Sequence, residues 1–204
     1  MPLQRRPRRF ECLTKQIREN ACKSIMEIGI GVAAHSKQMI CAALETMGDV
    51  DYYGFDLFGD ITDEIKKIEA SPQPGSMEAV RKYLEGGGVN IYLYRGFTKD
   101  TLPEFIETGI KPDLIFIDGG HSRETVWNDW TCVKKMMSDK TIVIFDDYLS
   151  EYEKLGWGCN CVIDSLKGYK VEFLEPADSY IFNYYGNSEN MIASTSQLVK
   201  VENG

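Results

Sequence analysis

No run of apolar residues in this 204-residue sequence approaches membrane-spanning length, which excludes a transmembrane helix. The N-terminal stretch has no apolar signal core either, so a cytoplasmic protein with no membrane partner is expected. Disulfide-framework spacing is missing as well: Cys12, Cys22, Cys41, Cys132, Cys159 and Cys161 are scattered. Cys159-Asn160-Cys161 is not a CxxC pair and has no matching second pair, which speaks for reduced thiols and against a zinc site. Basic charge is in short supply, at 23 Lys and Arg against 31 Asp and Glu, for a formal net charge of −8. Four of those basic residues, Arg5, Arg6, Arg8 and Arg9, crowd one end, so the remaining chain is more acidic still. Such a surface repels phosphate backbones and argues against nucleic acid as the main partner. The arginines themselves read as a solvated tail. Histidine is rare, with only His35 and His121.

What is present is an ordinary globular composition, 43% hydrophobic and 26% charged, in a chain long enough for one well-buried core. Apolar runs at 24–29, 51–58, 89–96, 112–118 and 141–147 read as strands, and two more follow at 169–176 and 196–203. Helical patterns over 35–48, 76–88, 99–108 and 122–138 lie between them, with Gly48 closing the first and Ser76 capping the second. Alternation of this kind predicts a single doubly wound, Rossmann-like α/β domain with a mostly parallel seven-stranded sheet and an antiparallel C-terminal strand. The domain should span 24–204, behind a basic tail and helix at 1–23. The connection at 176–195 reads as long and aromatic-rich.

In an open sheet of this type, ligands bind beyond the carboxyl ends of the strands. Glu27, Asp56, Asp118, Asp146 and Asp147 all fall there. Gly29-x-Gly31-x-x-Ala34 opens the first helix and fits a dinucleotide-type glycine loop, and Asp56 follows at the spacing of an acid on ribose hydroxyls. A nucleoside cofactor is therefore expected. Glu27 would be badly placed beside a pyrophosphate but suits a donor carrying an ammonium and a sulfonium, which favours S-adenosylmethionine over NAD. Glu27 as an ordinary structural acid stays open. So do an NAD-dependent oxidoreductase and a non-catalytic nucleoside-cofactor-binding module.

Asp118 ends the fourth strand and Asp146-Asp147 the fifth, so three carboxylates should converge at one rim. Their repulsion would be relieved by a hard divalent cation, Mg²⁺ above all. His121, three residues past Asp118, is placed to act as a general base.

Together "MEIGIGVAAHS" (26–36), the acid at the second strand end, "FIDGGHSRETVWNDW" (116–130) and "IVIFDDY" (142–148) resemble the class I S-adenosylmethionine-dependent methyltransferases. Within that class they are similar to the metal-dependent small-molecule O-methyltransferases around macrocin and catechol O-methyltransferase. The resemblance implies that Glu27, Gly29, Gly31, Ser36, Asp56, Leu57, Gly96, Asp118, Gly119, Gly120 and His121 surround the methyl donor. It implies Asp118, Asp146 and Asp147 as metal ligands, with Asp118 and His121 serving catalysis. Ala33 and Ala34 depart from the family's glycine loop. The expected partner is a small molecule bearing a hydroxyl, in a sugar, polyol or catechol-like compound, and a homodimer is left open. Trp127, Trp130, Tyr148, Tyr152 and Trp157 are candidates for the substrate wall, with at least one of the pair Trp127 and Trp130 packing on the sheet instead. Substrate-covering segments are expected at 1–23, 148–160 and 176–195.

Overall fold

The structure, a computed structural model, describes residues 8–69, 71–183 and 191–204. Its strands are Ser24–Ile28 (β1), Val50–Asp56 (β2), Val89–Arg95 (β3), Leu114–Ile117 (β4), Ile142–Leu149 (β5), Tyr169–Asn183 (β6) and Met191–Asn203 (β7). They form one sheet in the order β3-β2-β1-β4-β5-β7-β6. Every pairing from β3 to β5 is parallel, and β7 runs antiparallel to both β5 and β6. The order reverses between β1 and β4, which opens a crevice at the carboxyl ends of those two strands.

Helices Arg9–Glu19 (α1), Ala34–Met47 (α2), Asp63–Glu69 (α3), Met77–Leu84 (α4), Thr98–Ile106 (α5), Arg123–Met136 (α6), Tyr152–Leu155 (α7) and Cys159–Ile163 (α8) complete the chain. The central strands are apolar at successive positions because both faces are covered. On one face Ile25, Tyr52, Leu114, Phe116, Ile142 and Ile144 pack with Leu13 and Ile17 of α1 and Met39 and Ile40 of α2. On the other, Met26, Phe55, Ile115, Ile117, Val143 and Phe145 meet Leu102 and Phe105 of α5 and Val133 and Met136 of α6. Ser76 accepts from the Ala79 amide at the start of α4, and Gly48 ends α2 at φ +77, as their positions predicted.

Two segments differ from the sequence reading. The aromatic-rich stretch before 196 is mostly strand: β6 continues past a register shift between Leu174 and Asp178 as far as Asn183, and β7 begins at Met191. Residues 184–190, also inside that expected connection, lie outside the described residues. The arginine cluster is not simply a solvated tail. Arg5 and Arg6 lie outside the described residues, but Arg9 is the first residue of α1 and only 7% exposed. No helix among the described residues is long and apolar enough to cross a membrane.

Candidate active site

The glycine loop follows β1 directly. Gly29 sits at φ +90, and a Cβ there would stand 2.0 Å from the carbonyl oxygen of Asp118, so only glycine lets the end of β1 pass this close to the end of β4. Gly31 is left-handed at φ +57, and Ala33, one of the two residues that depart from the family's loop, takes the same conformation at φ +62 before α2 begins. The side chain of Asp56 organises this loop. Its Oδ2 accepts the amides of Ile30 and Gly31 at 2.8 and 2.9 Å, and its Oδ1 accepts the amide of Phe58 at 2.8 Å.

Glu27 lies on the α2 side of β1, 1% exposed, and accepts hydrogen bonds from the hydroxyls of Ser36 and Tyr52. Burial pushes its carboxyl up to about 8, against the pull of those two donors. Through Ser36, Glu27 ties the first turn of α2 to β1, and it also lines the cavity that opens here. His35 stacks on Phe10 of α1 at 3.6 Å between ring centroids, and burial followed by the charge of Arg9 lowers its pKa to about 4.

A cavity of about 450 Å³ opens on this loop and extends to the rim of β4. Its wall includes Gly29, Gly31, Asp56, Leu57, Gly96, Asp118, Gly119, Gly120 and His121, so the structure brings these expected donor residues to one space; Ser36 stands behind them on Glu27. The cover comes from an unexpected source. Ile61, Ile65, Ile68, Pro72 and Pro74 roof the cavity, contributed by α3 and the turns around it. Two anchors hold that roof. The Gly75 amide donates to the Gly31 carbonyl at 2.8 Å. The Glu69 carboxylate accepts from the Ser122 amide and hydroxyl and the Thr125 hydroxyl at 2.8, 2.9 and 2.7 Å.

At the far end the three rim aspartates converge as expected: one carboxylate oxygen from each of Asp118, Asp146 and Asp147 lies within 4.8 Å of the others. A bulge in β5 between Phe145 and Tyr148 delivers the last two, with Asp147 at φ +60, a conformation that L-residues adopt only where surroundings impose it. Arg9 meets Asp146 fork to fork, Nε to Oδ1 at 2.8 Å and Nη2 to Oδ2 at 2.7 Å. His121 reaches Asp147 Oδ2 through Nε2 at 2.8 Å, while its Nδ1 faces the Glu69 carbonyl. Both ring nitrogens therefore point at acceptors, the pattern of an imidazolium. Burial lowers the His121 pKa, but the Asp147 hydrogen bond and charge outweigh it and the net shift is upward. Among the described residues the Asp118 carboxylate has no hydrogen-bond or ion-pair partner. Burial, then the charges of Asp146 and Asp147, hold it well above the usual carboxylate range.

These contacts decide whether the trio suits a divalent ion. A hard cation needs carboxylate oxygens free to turn toward it. Both oxygens of Asp146 already carry a guanidinium that cannot be deprotonated, and one oxygen of Asp147 carries an imidazole. In this arrangement the residues do not fit a three-carboxylate metal centre.

Of the expected aromatic wall, only Trp157 comes near, its ring 4.1 Å from that of His121. Trp130 packs on Phe145 and Tyr169, Trp127 is 48% exposed, Tyr148 bonds Asp164, and Tyr152 packs beside Leu149 and Trp157. Three further residues were not foreseen in sequence: Arg9, Glu69 and Asp129. Asp129 is fully buried against the cavity, its Oδ2 without a hydrogen-bond partner among the described residues. The apolar stripe Val126, Trp130, Val133 on α6 contained the signal, since Asp129 is the one charged residue among its buried positions.

Comparison with known proteins adds three findings. A family model described as Methyltransferase domain matches residues 26–148. No curated protein sequence matches. Among solved structures, the O-methyltransferase TomG from Streptomyces achromogenes, in complex with SAM, superposes with a TM-score of 0.60 at 13% identity, covering 96% of this chain and 79% of that one. An O-methyltransferase from Bacillus cereus in complex with SAH gives 0.60 at 12%, covering 100% and 84%. An rRNA methylase from Streptococcus thermophilus gives 0.58 at 10%, covering 98% of each chain. At such identities the superpositions speak for the fold, while the family match spans the glycine loop, the roof and all three rim aspartates. The chain belongs to the methyltransferase-domain family and has the architecture of the class I S-adenosylmethionine-dependent methyltransferases.

Proposed function

We propose that this protein transfers a methyl group from S-adenosylmethionine to a hydroxyl oxygen of a small molecule. One observation carries the reading: a single covered cavity joins the glycine loop and Asp56 to the rim where Asp118 and His121 lie. The two similar structures that hold SAM or SAH are O-methyltransferases, which supports the donor and the acceptor type together.

In this reading the donor's methionine part lies over Gly29 and Gly31, held by the loop that Glu27 and Ser36 brace. The ribose meets the lone pair that the loop amides leave free on Asp56 Oδ1. The purine lies toward Leu57 and Gly96. The methyl carbon is then aimed at the rim, and transfer proceeds in line: the oxygen–carbon bond forms as the sulfur–carbon bond breaks and the sulfonium becomes a thioether. The hydroxyl proton goes to Asp118, whose carboxylate has no partner among the described residues and whose basicity is raised by burial and by the charges of Asp146 and Asp147. His121, hydrogen-bonded to Asp147 and shifted toward its charged form by it, steadies the charge developing on the oxygen. The base role expected for His121 thus passes to its neighbour. Metal assistance is not part of this proposal, because Asp146 is already paired. The acidic balance of the chain favours a small molecule over RNA as acceptor.

Calorimetry with S-adenosylhomocysteine and with NAD tests the donor. The first should bind and the second should not, and Asp56→Ala should weaken binding by more than about tenfold. Saturable NAD binding, or unchanged affinity in Asp56→Ala, would sink the donor assignment. Methyl transfer is then assayed with labelled donor over a panel of sugars, polyols and catechols. His121→Ala and Asp118→Asn should each lower kcat by about 10²–10⁴ with donor affinity nearly intact.

A further inference from the structure

The cation at the acid rim comes from the chain itself. Arg9 is delivered there by a packed helix. Asp178 of β6 accepts the amides of Arg8 and Arg9 at 3.0 and 2.9 Å, fixing the first turn of α1. Phe10, Leu13 and Ile17 bury the following turns in the core between α2 and the sheet. The guanidinium therefore has little freedom, and its side chain is 8% exposed.

Its surroundings are complementary on every side. Nε and Nη2 bridge the two oxygens of Asp146, Nη2 lies 4.0 Å from Asp147 Oδ1, and Nη1 lies 3.7 Å from Asp178 Oδ2 and against the Tyr180 hydroxyl. The carbon of the guanidinium sits over the Phe10 ring at 4.3 Å and the Tyr180 ring at 5.0 Å. A planar fork on one carboxylate, capped by aromatic faces, is a setting suited to arginine and to neither lysine nor a hydrated ion.

We propose that Arg9 is the resident cation of the Asp118–Asp146–Asp147 cluster, standing in for a divalent metal, so that the folded protein takes up no metal there unless Arg9 is removed. The physical ground is competition. A divalent ion must strip Asp146 from a bidentate partner, and it must approach within a few ångströms of a fixed positive charge. The proposal concerns the charge balance of the cluster and stands or falls apart from the methyl-transfer reading.

The test is a titration of the full chain with Mn²⁺ alone, followed by water-proton relaxation and calorimetry. The natural protein should show no saturable site below about 1 mM. Arg9→Ala should bind Mn²⁺ at least about tenfold more tightly, and Asp118→Asn added to it should abolish the gain. Circular dichroism and thermal melting establish that the variants are folded. If Arg9→Ala does not fold, Arg9→Lys replaces it. The ammonium cannot bridge both oxygens of Asp146, so a gain of about threefold is expected. A saturable site in the natural protein that Asp118→Asn removes would overturn the proposal, and so would a folded Arg9 variant with no gain. Melting of the natural protein should also be indifferent to EDTA and to added Mg²⁺, whereas a rise with Mg²⁺ that needs Asp118 counts against it.

Discussion

Replacing Asp129 with asparagine should make the protein more stable near neutral pH and leave it no better in acid. Asp129 is fully buried on α6, and one of its carboxylate oxygens has no partner among the described residues. Burial raises its pKa from the ordinary 3.8 to about 6; hydrogen bonds from Thr98 and Asn128 pull the other way, and the charge of Glu69 adds a little. A rise of that size corresponds to about 3 kcal/mol between the protonated and ionised forms. Because the folded-state value lies above the unfolded one, the group's contribution is fully present below 3.8 and is lost as pH rises through about 6. Asparagine keeps the shape and never ionises. Its amide nitrogen brings a donor that the site does not satisfy, which costs about 1–2 kcal/mol. The net gain at pH 7.5 is then about 1–2 kcal/mol, or a Tm rise of about 3–6 °C for a domain of this size. Thermal melts of both proteins from pH 4 to pH 8 are the assay. The difference should grow between pH 4 and pH 6 and flatten above. A variant that melts lower at pH 7.5, or a difference that ignores pH, would refute the picture of an uncompensated buried carboxylate.

Gly29→Ala puts a methyl group 2.0 Å from the Asp118 carbonyl at φ +90, so the loop cannot close. The variant should lose S-adenosylhomocysteine binding by at least about 100-fold or fail to fold; calorimetric affinity like that of the natural protein would show that β1 and β4 do not meet as described. Glu69→Ala frees the roof from Ser122 and Thr125. Proteolysis within 57–75 should accelerate while the core melts nearly as before, and an unchanged cleavage rate would mean that Glu69 does not hold the roof.

The parts of this protein that could be read from sequence share one property, that their cause is local. Ile25, Ile115, Val143 and Ile144 announce buried strands because both faces are covered, and Gly29 and Gly31 mark a turn that only their backbone permits. The meeting of Asp118 with Asp146 and Asp147 was legible too, since adjacent parallel strands place their ends side by side. Arg9 was not, because its partner Asp146 lies 137 residues away and nothing in the N-terminal pattern points to it. Glu69 looks like any charge on a short helix until Ser122 is folded against it. The outer half of β6 was hidden by Pro176, which interrupts a strand pattern that resumes after the register shift at Leu174 and Asp178.

The strand order also sets a timetable for biosynthesis. β5 is finished at Leu149, yet its outer partner is β7, which spans Met191–Asn203 and is made after everything else in the sheet. Until β7 arrives, the outer edge of β5 is unpaired among the described residues, and β6 cannot join the sheet, since its one neighbour among them is β7. A nascent chain at that stage displays an open row of backbone donors and acceptors beside the apolar run Ile142–Phe145. The interval during which residues 150–190 are translated is thus the period of greatest exposure to strand-to-strand aggregation, and it ends only when β7 slides in between its two neighbours.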